Sequence, residues 1–230
     1  MKAIFETANL RLTQPEEAVY LLSMNKKQNI LDTDLIDQLL AACDFLETKT
    51  SGPGCLVTSS ELARTYSAGL NLKELMKGAD HPDVRRYLQH FMSFLARFVT
   101  LPMVTVAAIN GHAYAGGLMF ALAHDYRLMN RDFGNLCLSE IKFGIFLPPG
   151  MNAICQSRIP APFYKYIALL GDPVPAKEGL RMRFIDELHP KEHLLPRAME
   201  LAAKMAPSAE HRGALSKIKA EMNRDLVKTL

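Results

Sequence analysis

The sequence predicts an α/β fold built on a largely parallel sheet. Two observations carry that prediction: apolar runs of strand length alternate with longer segments of helical periodicity, and a strand, a glycine turn and a helix follow one another directly. The clearest case is Met103–His124. Met103–Ile109 (MVTVAAI) reads as a parallel strand buried on both faces, Asn110–Gly117 as a glycine-containing turn, and Leu118–His124 as a helix opening on that turn.

The remaining elements follow the same logic. The first part reads as short strands, of which Ala18–Met24 (AVYLLSM) is clearest. A helix over Thr33–Leu46 places Leu35, Ile36, Leu39 and Leu40 at helical spacing, with Asp32 or Thr33 as its cap. Gly52-Pro53-Gly54 is a turn, Cys55–Ser59 (CLVTS) a buried strand, and Arg64–Leu72 a loop carrying Ser67-Ala68-Gly69. Tyr87–Val99 is rich in aromatic and aliphatic residues and reads as a core helix stopped before Pro102. Asp125–Met129 is a strand, and Phe143–Gly150 (FGIFLPPG) an irregular loop because of its prolines. A short strand is expected at Phe184–Leu188, then two helices, Lys191–Met205 and Ala209–Val227, joined near Pro207. No internal repeat is visible. The chain divides into a core over residues 1–190 and a helical C-terminal region over 191–230.

Composition narrows the class. A chain of 230 residues suits one large domain with a sizeable core, and 49% hydrophobic with 22% charged residues excludes a disordered chain. The 27 basic and 24 acidic residues give a net charge of +3 with no block of like charge, so no footprint for nucleic acid is expected, while a small anionic ligand fits. Cys43, Cys55, Cys137 and Cys155 form no C-x-x-C pair, which points to buried thiols in a reducing compartment and to neither a zinc site nor a disulfide framework. No apolar run approaches the ~20 residues needed to span a bilayer. The start, MKAIFETANLRLTQ, lacks the pattern of a signal or transit peptide, and the end, VKTL, is not the Ser-Lys-Leu peroxisomal address. The expectation is a soluble intracellular protein, with mitochondrial matrix, peroxisomal matrix and cytoplasm all open.

Two glycine turns carry the first chemical signal. Ser67-Ala68-Gly69-Leu70 and Ala115-Gly116-Gly117-Leu118 each follow a strand and lead into helical sequence. Amides at a helix start lack intrahelical partners, and a bare glycine lets a ligand carbonyl approach them, so two such turns can form an oxyanion hole. Glycine turns at strand ends equally serve the fold alone.

The segments themselves are more specific. Ala63–Leu75 (ARTYSAGLNLKEL) resembles the F-S-A-G-x-D-L signature of the crotonase (enoyl-CoA hydratase/isomerase) superfamily, and Val106–Met129 (VAAINGHAYAGGLMFALAHDYRLM) resembles its A-x-x-N-G-x-A-x-G-G-G signature. Cys137–Ile145 (CLSEIKFGI) resembles the third, in which a glutamate precedes a loop and a long helix. The three lie in family order between Ala63 and Gly150, and the L-S-E-x-x-x-G-I and A-H-D-Y-x-x-M runs are most similar to monofunctional Δ3,Δ2-enoyl-CoA isomerases.

This resemblance implies a crotonase-like ββα spiral whose C-terminal helices pack against neighbouring subunits in a homotrimer or dimer of trimers. It implies that the Leu70 and Gly116 amides hold a thioester oxygen, that Ser67, Ala68, Gly69, Leu70 and Asn71 line the coenzyme A pocket largely through backbone atoms, and that Lys73 lies near the coenzyme A phosphates. Lys73 also reads simply as a solvated helix charge. Coenzyme A enters as part of an acyl-CoA substrate, and no metal or redox cofactor is implied.

Which carboxylates are present then decides the expected chemistry. Hydratases of this family carry a glutamate just after the triple glycine and a second in the third signature. Here the first position is Met119, an apolar wall, and the second is Glu140. Adding water ordinarily takes both carboxylates, whereas a single base suffices to move a double bond from C3 to C2. Glu140 is therefore the expected acid/base, and it needs an apolar pocket to raise its pKa. Phe143, Phe146 and Leu147 either shield it, line an acyl pocket or pack in the core. Asn71 stands where the signature has aspartate, a change of loop cap more than of chemistry. His112 reads as a structural histidine near the hole. Ser67 with His124-Asp125 would suggest a hydrolase, but the G-x-S-x-G elbow is absent. A noncatalytic subunit of a larger assembly, a thioester hydrolase and a weak hydratase remain as alternatives.

Overall fold

In the computed structural model, which describes residues 2–230, two sheets and ten α-helices are wound as a spiral. Strands β1 (Ala3–Glu6), β2 (Leu10–Glu16) and β3 (Val19–Met24) form an antiparallel meander. Helix α1 (Thr33–Thr48) follows, its first turn capped by the Asp32 carboxylate accepting from Leu35 N. Three turns of a ββα unit come next. The first contains β4 (Cys55–Ser60), β5 (Thr65–Ser67), the one-turn α2 (Leu72–Leu75) and α3 (Pro82–Phe98). The second contains β6 (Val104–Ile109), β7 (His112–Tyr114) and α4 (Gly116–Leu122). The third contains β8 (Tyr126–Asn130), β9 (Asn135–Cys137) and α5 (Pro149–Arg158). In each turn the first strand joins a seven-stranded sheet of order β1-β2-β3-β4-β6-β8-β11. The second strand joins a four-stranded sheet of order β10-β9-β7-β5.

The chain closes with α6 (Ala161–Leu170), β10 (Val174–Pro175), α7 (Ala176–Arg181), β11 (Glu187–His189), α8 (Lys191–Met205), α9 (Arg212–Met222) and α10 (Arg224–Thr229). Both faces of the large sheet are covered, which is why its central strands are apolar throughout. Leu22, Leu56 and Ala107 face one core with α1, α3 and α4, whereas Leu21, Val57 and Val106 face a second core with Leu194, Ala198 and Leu201 of α8. No helix among the described residues is long and apolar enough to cross a membrane.

Several expectations are corrected. The Arg64–Leu72 and Asn110–Gly117 segments are not simply loops: each holds a three-residue strand of the small sheet, too short for a periodic signal. The proline-rich loop gives way to α5 at Pro149, because proline is tolerated at a first helical position. Phe184 and Ile185 are core residues preceding β11, and the last helix breaks at Asn223. The spiral repeat is structural and leaves no trace as a repeated sequence.

Candidate active site

The segment after β5 is pinned from several sides. Ser67 is fully buried; its Oγ donates to the Asn29 carbonyl (2.7 Å) and accepts from the Gly69 N–H (3.1 Å). The Ala68 N–H donates to Gln28 O (2.9 Å), the Gly69 carbonyl accepts from Leu31 N (2.9 Å), and the Asn71 N–H donates to Tyr87 Oη (2.9 Å). Tyr87 itself donates to the Leu31 carbonyl, while the Asn71 side chain caps α2 by accepting from Lys73 N (3.1 Å). Of the four successive amides from Ala68 to Asn71, only that of Leu70 meets no protein acceptor among the described residues.

The second turn supplies a matching amide. The Ala115 N–H donates to Cys137 O (2.7 Å), and Gly116 opens α4, where the first-turn amides have no intrahelical partner. Gly116 N–H likewise meets no protein acceptor among the described residues. The two turns touch through bare backbone. A β-carbon built on Gly69 would lie 2.5 Å from Tyr114 O and 2.9 Å from Gly116 N, and one built on Gly116 would lie 3.3 Å from Leu70 N. Gly117 is equally confined, 2.4 Å from Ser67 O by the same construction. Both turns therefore need glycine for close approach, and the Leu70 and Gly116 amides stand beside each other.

These amides border a cavity of about 420 Å³. Ala68, Leu70, Tyr114, Ala115, Gly116 and Glu140 line it, together with apolar side chains from α2, α3 and the segment before α5. Ser67, Gly69, Asn71 and Lys73 do not line it; the first three shape the loop, and Lys73 is exposed on α2. Val84 and Leu88 show that one side of α3 faces the cavity, while Phe91, Phe94 and Phe98 pack in the core as expected.

Glu140 begins a 3-10 turn (Glu140–Phe143) that Gly144 ends in the left-handed region at φ 66°. It is the one carboxylate lining the cavity, it is only 7% exposed, and neither carboxyl oxygen has a hydrogen-bond partner. Burial raises its pKa from 4.5 to about 7, because a charged carboxylate without partners is poorly solvated. Its own main-chain N–H pulls the other way, without a well-formed bond to either oxygen. A carboxyl group that exchanges its proton near neutrality thus faces the same space as two free amides.

Other expectations resolve here. Phe143 and Phe146 are half-exposed or more and line the cavity, so they are not core; Leu147 packs against the core. Met119 is not a cavity wall: it is fully buried, because the fourth residue of α4 turns into the core. His112 accepts from Asn135 N at Nδ1 (3.2 Å) and packs on Phe133, outside the cavity. His124 is buried with Nδ1–H donating to Phe120 O (2.8 Å) and Nε2 bonded to Thr58 Oγ1 (2.7 Å), and burial pulls its pKa down to about 3. With Ser67 bonded to Asn29 and His124 to Thr58 and Phe120, these two do not form a serine–histidine pair. Among the described residues no group of three His, Cys, Asp or Glu side chains stands close enough to hold a metal ion. The residues that sequence reasoning missed are Asn29 and Tyr87, buried polar groups that fix the Leu70 loop; both stand among charged and polar neighbours in the sequence, at Lys26-Lys27-Gln28 and Arg85-Arg86, so no local signal marks them as buried.

A ββα spiral whose paired glycine turns present two free amides to an apolar cavity with one buried carboxyl defines a crotonase-type protein. The chain belongs to the enoyl-CoA hydratase/isomerase family, whose model matches residues 14–230. It is 32% identical over 157 residues to enoyl-CoA delta isomerase 3 of Arabidopsis thaliana, covering 66% of this chain and 65% of that one. It is 27% identical over 201 residues to the peroxisomal enoyl-CoA delta isomerase 1 of the same plant, covering 86% and 81%. With the human mitochondrial enoyl-CoA delta isomerase 1 it shares 28% identity over 84% of this chain and 64% of that one. The matched stretch thus spans just under two thirds of the first and third of these relatives. Among solved structures, a Mycobacterium tuberculosis protein described as an enoyl-CoA isomerase superposes with a TM-score of 0.86 at 24% identity, covering 96% and 93%. Another structure of that protein describes it as a probable enoyl-CoA hydratase (TM-score 0.85, 25% identity, 96% and 91%).

Proposed function

We propose that the protein is an enoyl-CoA delta isomerase, converting 3-enoyl-CoA to trans-2-enoyl-CoA in the degradation of unsaturated fatty acids. The observation that carries this reading is the single buried carboxyl of Glu140, free of hydrogen bonds and facing the cavity that the Leu70 and Gly116 amides border. The thioester oxygen sits between those two N–H groups. The Glu140 carboxylate removes a proton from C2, the charge passes to the thioester oxygen as a dienolate, and the carboxylic acid returns the proton at C4. The double bond then lies between C2 and C3. Each hole amide contributes about 3 to 4 kcal/mol of transition-state stabilisation by the usual measure of such donors.

The cavity offers no second carboxylate to hold and activate water, which favours isomerisation over hydration. Coenzyme A comes with the substrate and no further cofactor takes part. Lys73, exposed beside the Ala68–Asn71 loop, meets the coenzyme A phosphates, so Lys73→Glu raises KM more than it lowers kcat. The reading includes a homotrimer or dimer of trimers, supported by exposed Tyr166 and Leu169 on α6 and Ile218 and Met222 on α9; light scattering at known concentration tests it.

The deciding experiment measures product from 3-enoyl-CoA and from 2-enoyl-CoA side by side, for the parent protein and Glu140→Gln. Isomerisation by the parent and its loss by a factor of at least about 1000 in the folded variant are expected. Parent-level isomerisation by Glu140→Gln removes Glu140 from the mechanism, and preferred turnover of 2-enoyl-CoA to a hydroxyacyl product makes the protein a hydratase.

A further inference from the structure

The backbone framing the two free amides is bare at Gly69, Gly116 and Gly117; backbone atoms leave no room for a side chain at Gly69 and Gly117, and a β-carbon on Gly116 would meet the Leu70 side chain at 3.0 Å. Ala115 breaks that pattern. It lies directly before the Gly116 amide, in a conformation (φ 50°, ψ −123°) that glycine adopts freely and alanine rarely does. Its methyl comes within 3.1 Å of a β-carbon built on Gly69, so it sits where the two turns meet, and the residue is partly exposed and lines the cavity. A strained side chain beside an otherwise naked anion-binding turn asks for a function.

We propose that the Ala115 methyl is a specificity-determining group that narrows the site beside the thioester and excludes acyl chains branched at C2. This rests on the isomerase reading for where the thioester lies. The thioester oxygen is held by Leu70 and Gly116, C2 is two bonds from that oxygen, and Glu140 must reach C2 from across the cavity. A substituent on C2 is thus confined between the carboxyl and the glycine turns, and Ala115 bears the added carbon on the turn that carries the Gly116 amide. Gly69 and Gly117 cannot yield, because backbone atoms already stand against them. The excess methyl has no way out.

One methylene of misfit in an apolar site is worth roughly 10- to 200-fold in discrimination. The test uses the full-length protein and its Ala115→Gly variant, with two saturated ligands, hexanoyl-CoA and 2-methylhexanoyl-CoA, titrated by calorimetry so that no turnover is needed. The parent is expected to bind the branched ligand at least about tenfold more weakly, and Ala115→Gly to shrink that ratio toward one. A parent that binds both equally, or a ratio unchanged in the folded glycine variant, overturns the proposal. Activity on 3-hexenoyl-CoA and its 2-methyl analogue is measured in parallel. Loss of turnover by the parent on both, with the binding ratio behaving as expected, would count against the isomerase reading and leave the steric role of Ala115 standing.

Discussion

Gly69 leans on Gly116: a β-carbon on the first would come within 2.9 Å of the amide nitrogen of the second, and within 2.5 Å of the Tyr114 carbonyl. The two turns that bear the free amides are therefore fitted to each other before any ligand arrives. Gly69 also has φ +87°, where a side chain is strained regardless of space. Gly69→Ala should push the turns apart and lower kcat/KM by about 100- to 1000-fold, comparable to losing one hole donor. Steady-state kinetics with 3-enoyl-CoA checks it, and a near-parent rate would show that the amides are not used together.

Glu140 should impose one ascending limb on the pH profile. The base must be ionised, and its pKa is raised by burial to about 7, so kcat/KM rises with pH through about 7 and levels above it. A limb centred near the ordinary carboxylate value of 4.5 would mean that the carboxyl is solvated when the enzyme works.

The same shift has a stability consequence of opposite sign to the usual acidic group. Because the folded pKa lies above the unfolded one, the folded state holds the proton more tightly between pH 4.5 and about 7, and stability falls as pH rises through that window. A folded pKa of about 7 against an ordinary 4.5 corresponds to about 3 kcal/mol. Glu140→Gln, which removes the charge and keeps the shape, should therefore be more stable than the parent at pH 8 and little different at pH 4.5. Urea titrations at the two pH values measure this, and equal gains at both would refute it.

Ala115→Gly should raise stability although it adds a flexible residue. A non-glycine residue held in such a region costs about 1 to 3 kcal/mol, whereas the extra freedom of glycine in the unfolded chain costs about 0.4 to 1 kcal/mol. The net gain of about 1 kcal/mol corresponds to a Tm increase of about 2 to 4 °C in a chain of this size. Calorimetric unfolding reads it directly, and a lower Tm would show that the methyl packs more favourably than its backbone strain costs.

Lys219 of α9 enters the core, where its Nζ donates to the Asp125 carboxylate (2.8 Å) and to Met103 O (3.0 Å) with a side chain 5% exposed. The same carboxylate accepts from the Thr105 N–H (2.8 Å). Lys219→Met leaves Asp125 without its cation and Met103 O without a donor, and should cost about 3 kcal/mol, the lower end for a broken buried pair because Asp125 is partly exposed. Adding Asp125→Asn should recover part of the loss in a double-mutant cycle. Additive losses would show that the two charges are not coupled.

The sequence by itself determined the central strands of the large sheet and the helices α1, α3, α4 and α8, and it singled out the glycine turns and Glu140 as candidates. Runs such as Val104–Ile109 can be stable only when buried on both faces, and the glycines at 69, 116 and 117 mark turns of unusual closeness. Glu140 was legible as the single acid of its motif. Tertiary structure alone decided the rest. The three-residue strands of the small sheet have no local stability and form because the register of neighbouring turns presents them to one another. Met119 turned into the core rather than the cavity because of how α4 docks, and Phe143 and Phe146 went to the cavity for want of a core neighbour to cover them. The amides around that of Leu70 are satisfied by the neighbouring Ser67 and by Gln28 and Tyr87, which lie far from them along the chain, and this leaves Leu70 N–H as the one donor of the loop open to a ligand. Hydrogen-bond partners that far apart in sequence leave no periodic trace, since their pairing exists only once the chain has folded.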